Sequence, residues 1–247
     1  MTRRINLWSS PRNLSTALMY SWRQRSDTTV VDEPLYAHYL ATSGVQHPGR
    51  ERVLATQSSD GLKVIESIIL GSYDTPVVFF KQMAKHLMGI DPAVQVNRLL
   101  SRCDNVLLTR DPFDMLTSFQ VHVPDATVAE TGFPDLMNIL EHIIETDAEP
   151  IVIDSKLLLM DPVAVLGELC ARLRLSFDPA MLSWPPGPKP EDGAWAPHWY
   201  RRVWDSTGFA RWQPKDATLL PNLQPVLDEI EPLYRRLLPY CIGGVDL

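Results

Sequence analysis

Short apolar runs rich in β-branched residues recur along the chain: Ile5–Trp8, Thr29–Asp32, Val77–Lys81, Val106–Thr109 and Ile151–Asp154. Continuous hydrophobicity, as opposed to alternation, marks strands covered on both faces, as in a parallel sheet. Helix-like stretches separate the runs: Ser15–Arg25, Asp60–Gly71, Pro92–Arg102, Pro112–His122, Phe133–Thr146 and Pro162–Leu173. This alternation predicts an α/β fold, a doubly wound, mainly five-stranded parallel sheet with helices on both faces. Asp-Pro occurs at 91–92, 111–112, 161–162 and 178–179. Asp is a favoured N-cap and Pro suits the first helical position, so these aspartates are expected to cap helices and not to bind metal.

A length of 247 residues suits a single domain over 1–247. The C-terminal third changes character. Residues 183–215 hold Pro185-Pro186-Gly187-Pro188-Lys189-Pro190 and the rings of Trp184, Trp195, Trp199, Trp204 and Trp212. Such a segment cannot continue a helix or a central strand. Two readings stand: a loop covering a sheet edge, or a lid stacking on a planar ligand group. A final helix over Leu223–Leu238 is expected to pack back on the body.

The net charge of −7 removes the global basic field that nucleic acid or anionic membrane would need. A small anion needs only a local arginine cluster. Cys103, Cys170 and Cys241 are far apart and form no C-x-x-C pair, so neither a disulfide framework nor a zinc ribbon is expected. The chain enters an apolar strand at once, without a signal h-region, and no apolar run reaches the ~18–20 residues of a membrane span. A cytoplasmic protein with reduced thiols, no nucleic-acid or membrane partner, and room for a homodimer is expected.

Four positions carry chemistry. The first strand runs into Ser9-Ser10-Pro11-Arg12-Asn13-Leu14-Ser15-Thr16 and then a helix. A helix start with hydroxyls and a guanidinium is an anion site, although Ser15 serves equally as a plain N-cap. The loop has no glycine and no Walker A sequence. Glu33, before Pro34, ends the second strand, either as a base for an acceptor hydroxyl or as part of a turn. Lys81 ends the third, either stabilising developing charge or as a solvated strand end. His86 reads as a helix-surface or core-rim histidine, with a competing role as base. Arg110 ends the fourth strand and Ser118 follows eight residues on, a clamp for one compact anion or a surface ion pair and a surface hydroxyl. No metal-ligand cluster is evident.

Arg110-Asp111-Pro112 with Ser118 resembles the 3′-phosphate motif of sulfotransferases that use 3′-phosphoadenosine 5′-phosphosulfate. Ser10-Pro11-Arg12-Asn13-Leu14-Ser15-Thr16 resembles their 5′-phosphosulfate loop. Ile151-Val152-Ile153-Asp154, followed by Leu157-Leu158, Asp161-Pro162 and Leu169-Cys170, resembles a recurrent stretch of the same family. The resemblance implies a P-loop-type fold and sulfuryl transfer to a hydroxyl or amine of a small molecule, with no metal. It implies that Arg12, Asn13, Leu14, Ser15 and Thr16 hold the 5′-phosphosulfate and that Arg110 and Ser118 hold the 3′-phosphate. Lys81 would stabilise the transferring group, and Glu33 would replace the histidine base missing from Lys81-Gln82-Met83. Arg202, Thr207 and Gly208 would stand in for the late cofactor segment. Asn13-Leu14 replaces the usual Ser-Gly. A similar domain occurs fused to aminotransferase-like chains, but no lysine context here supports pyridoxal chemistry. A P-loop phosphotransferase or NTP hydrolase, with Asp32 or Asp154 holding magnesium, and a non-catalytic nucleotide-binding domain are the rival readings.

Overall fold

A computed structural model describes residues 2–244. Its strands are β1 (Arg3–Ser9), β2 (Thr28–Asp32), β3 (Val77–Met83), β4 (Asp104–Thr109) and β5 (Ile151–Asp154), at the five positions that the apolar runs predict. They form one parallel sheet in the order β2-β3-β1-β4-β5, with helices around it. Every residue of β3 is buried, as both-face coverage requires.

The chain divides into two compact units, interleaved in sequence. One comprises the residues up to Leu7, Thr16–Asn105 and Asp178–Phe209. Within it β2 and β3 run parallel, in a register that sets Val30 beside Phe79 and Asp32 beside Lys81. A core of Tyr36, Tyr39, Leu40, Val53, Trp195 and Tyr200 joins the Tyr36–Ser43 helix to the Pro- and Trp-rich segment. The other unit comprises Trp8–Ser15, Val106–Phe177 and the residues from Ala210 on. There β4 and β5 pair in parallel, with Thr109 beside Asp154. The Phe133–Glu145 helix buries Phe133, Leu136, Met137, Leu140 and Ile143, the spacing of one helical face, and packs against the final helix, Gln224–Leu237.

All four Asp-Pro aspartates cap. Asp91 accepts from the Ala93 and Val94 amides, Asp111 from Asp114, Asp161 from Ala164 and Asp178 from Ala180. Two predicted helices are less regular than expected. The Asp60–Gly71 stretch passes from a short α-turn at Gly61–Val64 into π-helix at Ile65–Ile69, where the Leu70 amide reaches the Ile65 carbonyl. The Pro92–Arg102 stretch is α-, then π-, then 3₁₀-helical. Apolar spacing gives a helix's face but not the point where an extra residue is taken into a turn. Helices at Tyr36–Ser43, Arg50–Thr56 and Ser155–Met160 were not expected.

No helix among the described residues is long and apolar enough to cross a membrane. Asp161→Ala should lower stability by about 1 kcal/mol, the usual worth of an N-cap. Urea unfolding checks this: the midpoint falls at unchanged slope, and Asp161→Asn restores most of the loss.

Candidate active site

The loop after β1 solves without glycine a problem usually given to glycine. Arg12 and Leu14 have φ of 64° and 68°, with a negative φ at Asn13 between them. Alternating sign along three residues is the pattern of a backbone nest, whose N–H groups converge on an anion. Left-handed backbone costs a non-glycine residue about 1–2 kcal/mol, so neighbours must hold it. The Asn13 side chain donates from Nδ2 to the Leu108 carbonyl at 3.3 Å, and the Ser155 hydroxyl is within 2.9 Å of the Asn13 carbonyl and 2.8 Å of the Thr109 carbonyl. The ends of β4 and β5 thus fix the loop. The Ser15–Arg23 helix starts directly after it, with Ser15 buried and Thr16 half-buried.

Three residues expected to hold anions meet here. Arg110 donates to the Arg12 carbonyl at 2.9 Å, and Arg12 Nε donates to Ser118 Oγ at 3.1 Å. Arg110 also lies 3.4 Å from Asp114, one turn along its helix. The surface-hydroxyl reading of Ser118 therefore fails, since it is half-buried against a guanidinium. The buried Ser10 Oγ, Asn13 Oδ1 and Thr109 Oγ1 have no hydrogen-bond partner. Two guanidiniums, a nest and three unpartnered polar atoms in one unit suit a phosphate-bearing ligand.

The second group lies in the other unit, where the β2–β3 register sets Asp32 beside Lys81. Lys81 is not the solvated strand end that its position suggested: β3 continues to Met83 and Lys81 is 1% exposed. Its ammonium donates to Asp32 Oδ1 at 3.0 Å, to Glu33 Oε1 at 2.5 Å and to the Tyr200 hydroxyl. Burial alone would lower the Lys81 pKa, but the two carboxylates outweigh it and raise it. Burial raises the Glu33 pKa, and Lys81 offsets this only in part. One ammonium thus faces two carboxylates. Glu33 itself has a left-handed φ of 39°.

His86 is neither a surface nor a rim histidine. It lies buried in the 3₁₀ turn Ala84–Leu87, its ring stacked at 4.8 Å on both Tyr36 and Tyr39. Its Nδ1 is 4.0 Å from Glu33 Oε2 and makes no hydrogen bond. Burial, then the charge of Lys85, pushes its pKa well down, so the ring is neutral.

The remaining expected residues have other surroundings. Arg202 is exposed on a short helix, Arg201–Trp204. The Thr207 carbonyl accepts from the Trp184 amide, and Gly208 bridges to Ser183, where a Cβ would come 2.9 Å from the Leu182 carbonyl. Trp184 and Trp195 are core rings, at 3% and 2% exposure, and not open walls for a ligand. Asp154 caps the Ser155–Met160 helix and accepts from Tyr234, and Asp32 is occupied by Lys81 and Tyr200. Among the described residues no group of three or more His, Cys, Asp or Glu is placed to hold a metal. Motif spacing missed Asn13 as a brace, Ser155, and Tyr200 as a partner of Lys81. It offered Asp32 only as a magnesium ligand, whereas the β2–β3 register sets it beside Lys81.

The family match covers residues 3–235, and the chain belongs to the sulfotransferase domain family. Two curated Arabidopsis thaliana proteins are similar to it. Branched-chain-amino-acid aminotransferase-like protein 1 is 40% identical over 235 residues, 94% of this chain and 41% of that protein. Branched-chain-amino-acid aminotransferase-like protein 2 is 38% identical over 234 residues, with the same shares. The chain therefore spans about two fifths of the length of these relatives. Among solved structures, the sulfotransferase domain from the curacin biosynthetic pathway shares the fold, with a TM-score of 0.55 at 15% identity over 93% of this chain and 98% of that one.

The raised Glu33 pKa has a sign for stability. The stability it contributes is complete below the unfolded carboxyl range and is lost as pH rises through the folded value. Glu33→Gln removes that loss while keeping an oxygen for Lys81. Its Tm relative to wild type should rise as pH increases from about 4 to 8. A Tm difference independent of pH would contradict the direction.

Proposed function

We propose that this domain transfers a sulfuryl group from 3′-phosphoadenosine 5′-phosphosulfate to a hydroxyl or amine of a small-molecule acceptor. The reading rests on one observation above the rest: Arg12, Arg110 and Ser118 are joined by hydrogen bonds at a loop of alternating φ that opens a helix. Family membership supports sulfotransfer in general.

Arg12, the amides of 12–16 and the Ser15 and Thr16 hydroxyls bind the 5′-phosphosulfate, and Arg110 and Ser118 bind the 3′-phosphate. The Arg12–Ser118 bond opens or is shared when an anion arrives, since each group then has a stronger, charged partner. Glu33 takes the proton from the acceptor as its oxygen or nitrogen bonds to sulfur. The bond from sulfur to the 5′-phosphate oxygen breaks, and adenosine 3′,5′-bisphosphate leaves. Lys81 stabilises the charge on that leaving oxygen. When the Lys81 charge moves from Glu33 toward the reacting group, Glu33 loses the partner that lowers its pKa and becomes a stronger base. Arg202, Thr207 and Gly208 are assigned to the nucleotide by the resemblance alone. Asp32 and Asp154 have other partners, which disfavours an ATP–magnesium reaction.

Arg110→Ala should weaken adenosine 3′,5′-bisphosphate binding by about 1.5–3 kcal/mol and leave adenosine 5′-phosphate unaffected. Calorimetry with the two ligands decides, and equal losses remove Arg110 from the 3′ site. Tight ATP–magnesium binding with none for the bisphosphate would overturn the reading. In an acceptor screen with labelled donor, Glu33→Gln should lower turnover by roughly 10²–10⁴-fold with bisphosphate affinity intact. Lys81→Met should likewise lower turnover more than affinity.

A further inference from the structure

The Pro- and Trp-rich segment sends one side chain into the Lys81 cluster. Tyr200 is 4% exposed, and its oxygen uses its full hydrogen-bonding capacity. It donates to Asp32, whose oxygens lie at 2.9 and 2.7 Å, and accepts from Trp195 Nε1 at 2.9 Å and from Lys81. The Gly193 amide adds a third donor to Asp32, beside Tyr200 and Lys81, at 3.1 Å. A Cβ at Gly193 would collide with the Trp195 ring at 2.1 Å, so only glycine brings that amide so close. The segment is anchored elsewhere too: Asp192 accepts from Tyr20 and Trp204, and Glu191 pairs with Arg23.

We propose that Tyr200 is a positioning residue for this chemistry: its hydroxyl satisfies Asp32 and fixes Lys81, and so sets how much of the Lys81 charge remains for Glu33. The three N–H bonds of Lys81 find three acceptors, one of them supplied by Tyr200. Without the hydroxyl, Asp32 loses its shortest donor and draws the ammonium toward itself, away from Glu33. The other titratable groups facing the pair are Lys85, His86 and Tyr36 on the Glu33 side and Tyr20 on the Asp32 side. The bearing on turnover rests on the reading of Glu33 and Lys81 as reacting groups, whereas the geometry can be tested with neither donor nor acceptor.

The experiment is a ¹³C-carboxyl NMR titration of the whole chain labelled at Asp and Glu. Asp32→Asn and Glu33→Gln identify the resonances, and the two carboxyls are read as a coupled pair. In Tyr200→Phe the upper titration of the pair should rise by about one pH unit, a tenfold gain in proton affinity, because a hydrogen bond to the charged form is lost. Trp195→Phe removes the indole donor to Tyr200, together with some core volume, but keeps the Tyr200 hydroxyl, and should produce a smaller rise. Trp204→Phe cuts a bond to Asp192 in the same segment and should lower Tm without moving the titration. An unchanged titration in Tyr200→Phe overturns the proposal, as does an equal shift in Trp204→Phe. If Tyr200→Phe does not fold, Trp195→Phe decides: a rise supports the proposal and no change overturns it. Failure to bind the bisphosphate would sink the sulfuryl-transfer reading and leave this titration as it stands.

Discussion

A buried ammonium governs the arrangement around β2 and β3. Taking an ion out of water costs several kcal/mol, and removing one partner of a buried pair typically costs about 3–5 kcal/mol. Lys81 therefore cannot be moved alone. Its three acceptors come from the end of β2, the residue after it and the distant Tyr200. The cluster carries one cation against two carboxylates, and the neutral His86 adds no charge. The excess negative charge on Asp32 is met by dipoles, the Tyr200 hydroxyl and the Gly193 amide. That requirement accounts for the placement of residues 193–200. The segment is built into the unit's core through Trp195, Ala196 and Tyr200, and serves the cluster from there.

The anion loop follows a different physical rule. There the demand is for converging N–H groups, and the structure meets it with two strained residues in place of a glycine. Asn13 and Ser155 supply the restraint, each bonded to backbone at the end of β4. A flexible glycine loop loses entropy when an anion orders it, whereas a braced loop has spent that cost on folding. Asn13-Leu14 thus forms a braced turn without glycine, its cost met on folding.

Sequence alone made the fold legible because five continuous apolar runs have few alternatives to a covered parallel sheet. The resemblance set Arg12 apart from Arg110 and Ser118, on different phosphates, whereas hydrogen bonds join the three. Lys81 was placed on the right strand with the wrong surroundings. A lysine after four apolar residues looks like a strand end, and only the pairing with β2 reveals a carboxylate beside it. Tyr200 lies 119 residues from Lys81, in a segment with no periodicity, so no local pattern could connect them. The stacked, neutral His86 was misjudged for a related reason. Its burial depends on Tyr36 and Tyr39, whose helix was not recognised behind Pro34.

Backbone strain separates residues shaped by chemistry from those shaped by chain geometry. Five described non-glycine residues have positive φ: Arg12, Leu14, Glu33, Asp147 and Arg174. Asp147 and Arg174 each follow the end of a helix, Phe133–Glu145 and Pro162–Arg172, where a left-handed residue satisfies the last carbonyls. The other three end no helix. Glu33 stands directly after β2, and Arg12 and Leu14 stand in the loop after β1, where the chain leaves the sheet. Strain of about 1–2 kcal/mol at each persists only because the surroundings over-determine it. At Glu33 the restraints are visible: its amide donates to the Lys81 carbonyl, its carbonyl accepts from Tyr36, and its carboxylate holds the Lys81 ammonium. The bend at Glu33 and its ion pair are therefore one structure, since Lys81 holds both its amide and its carboxylate.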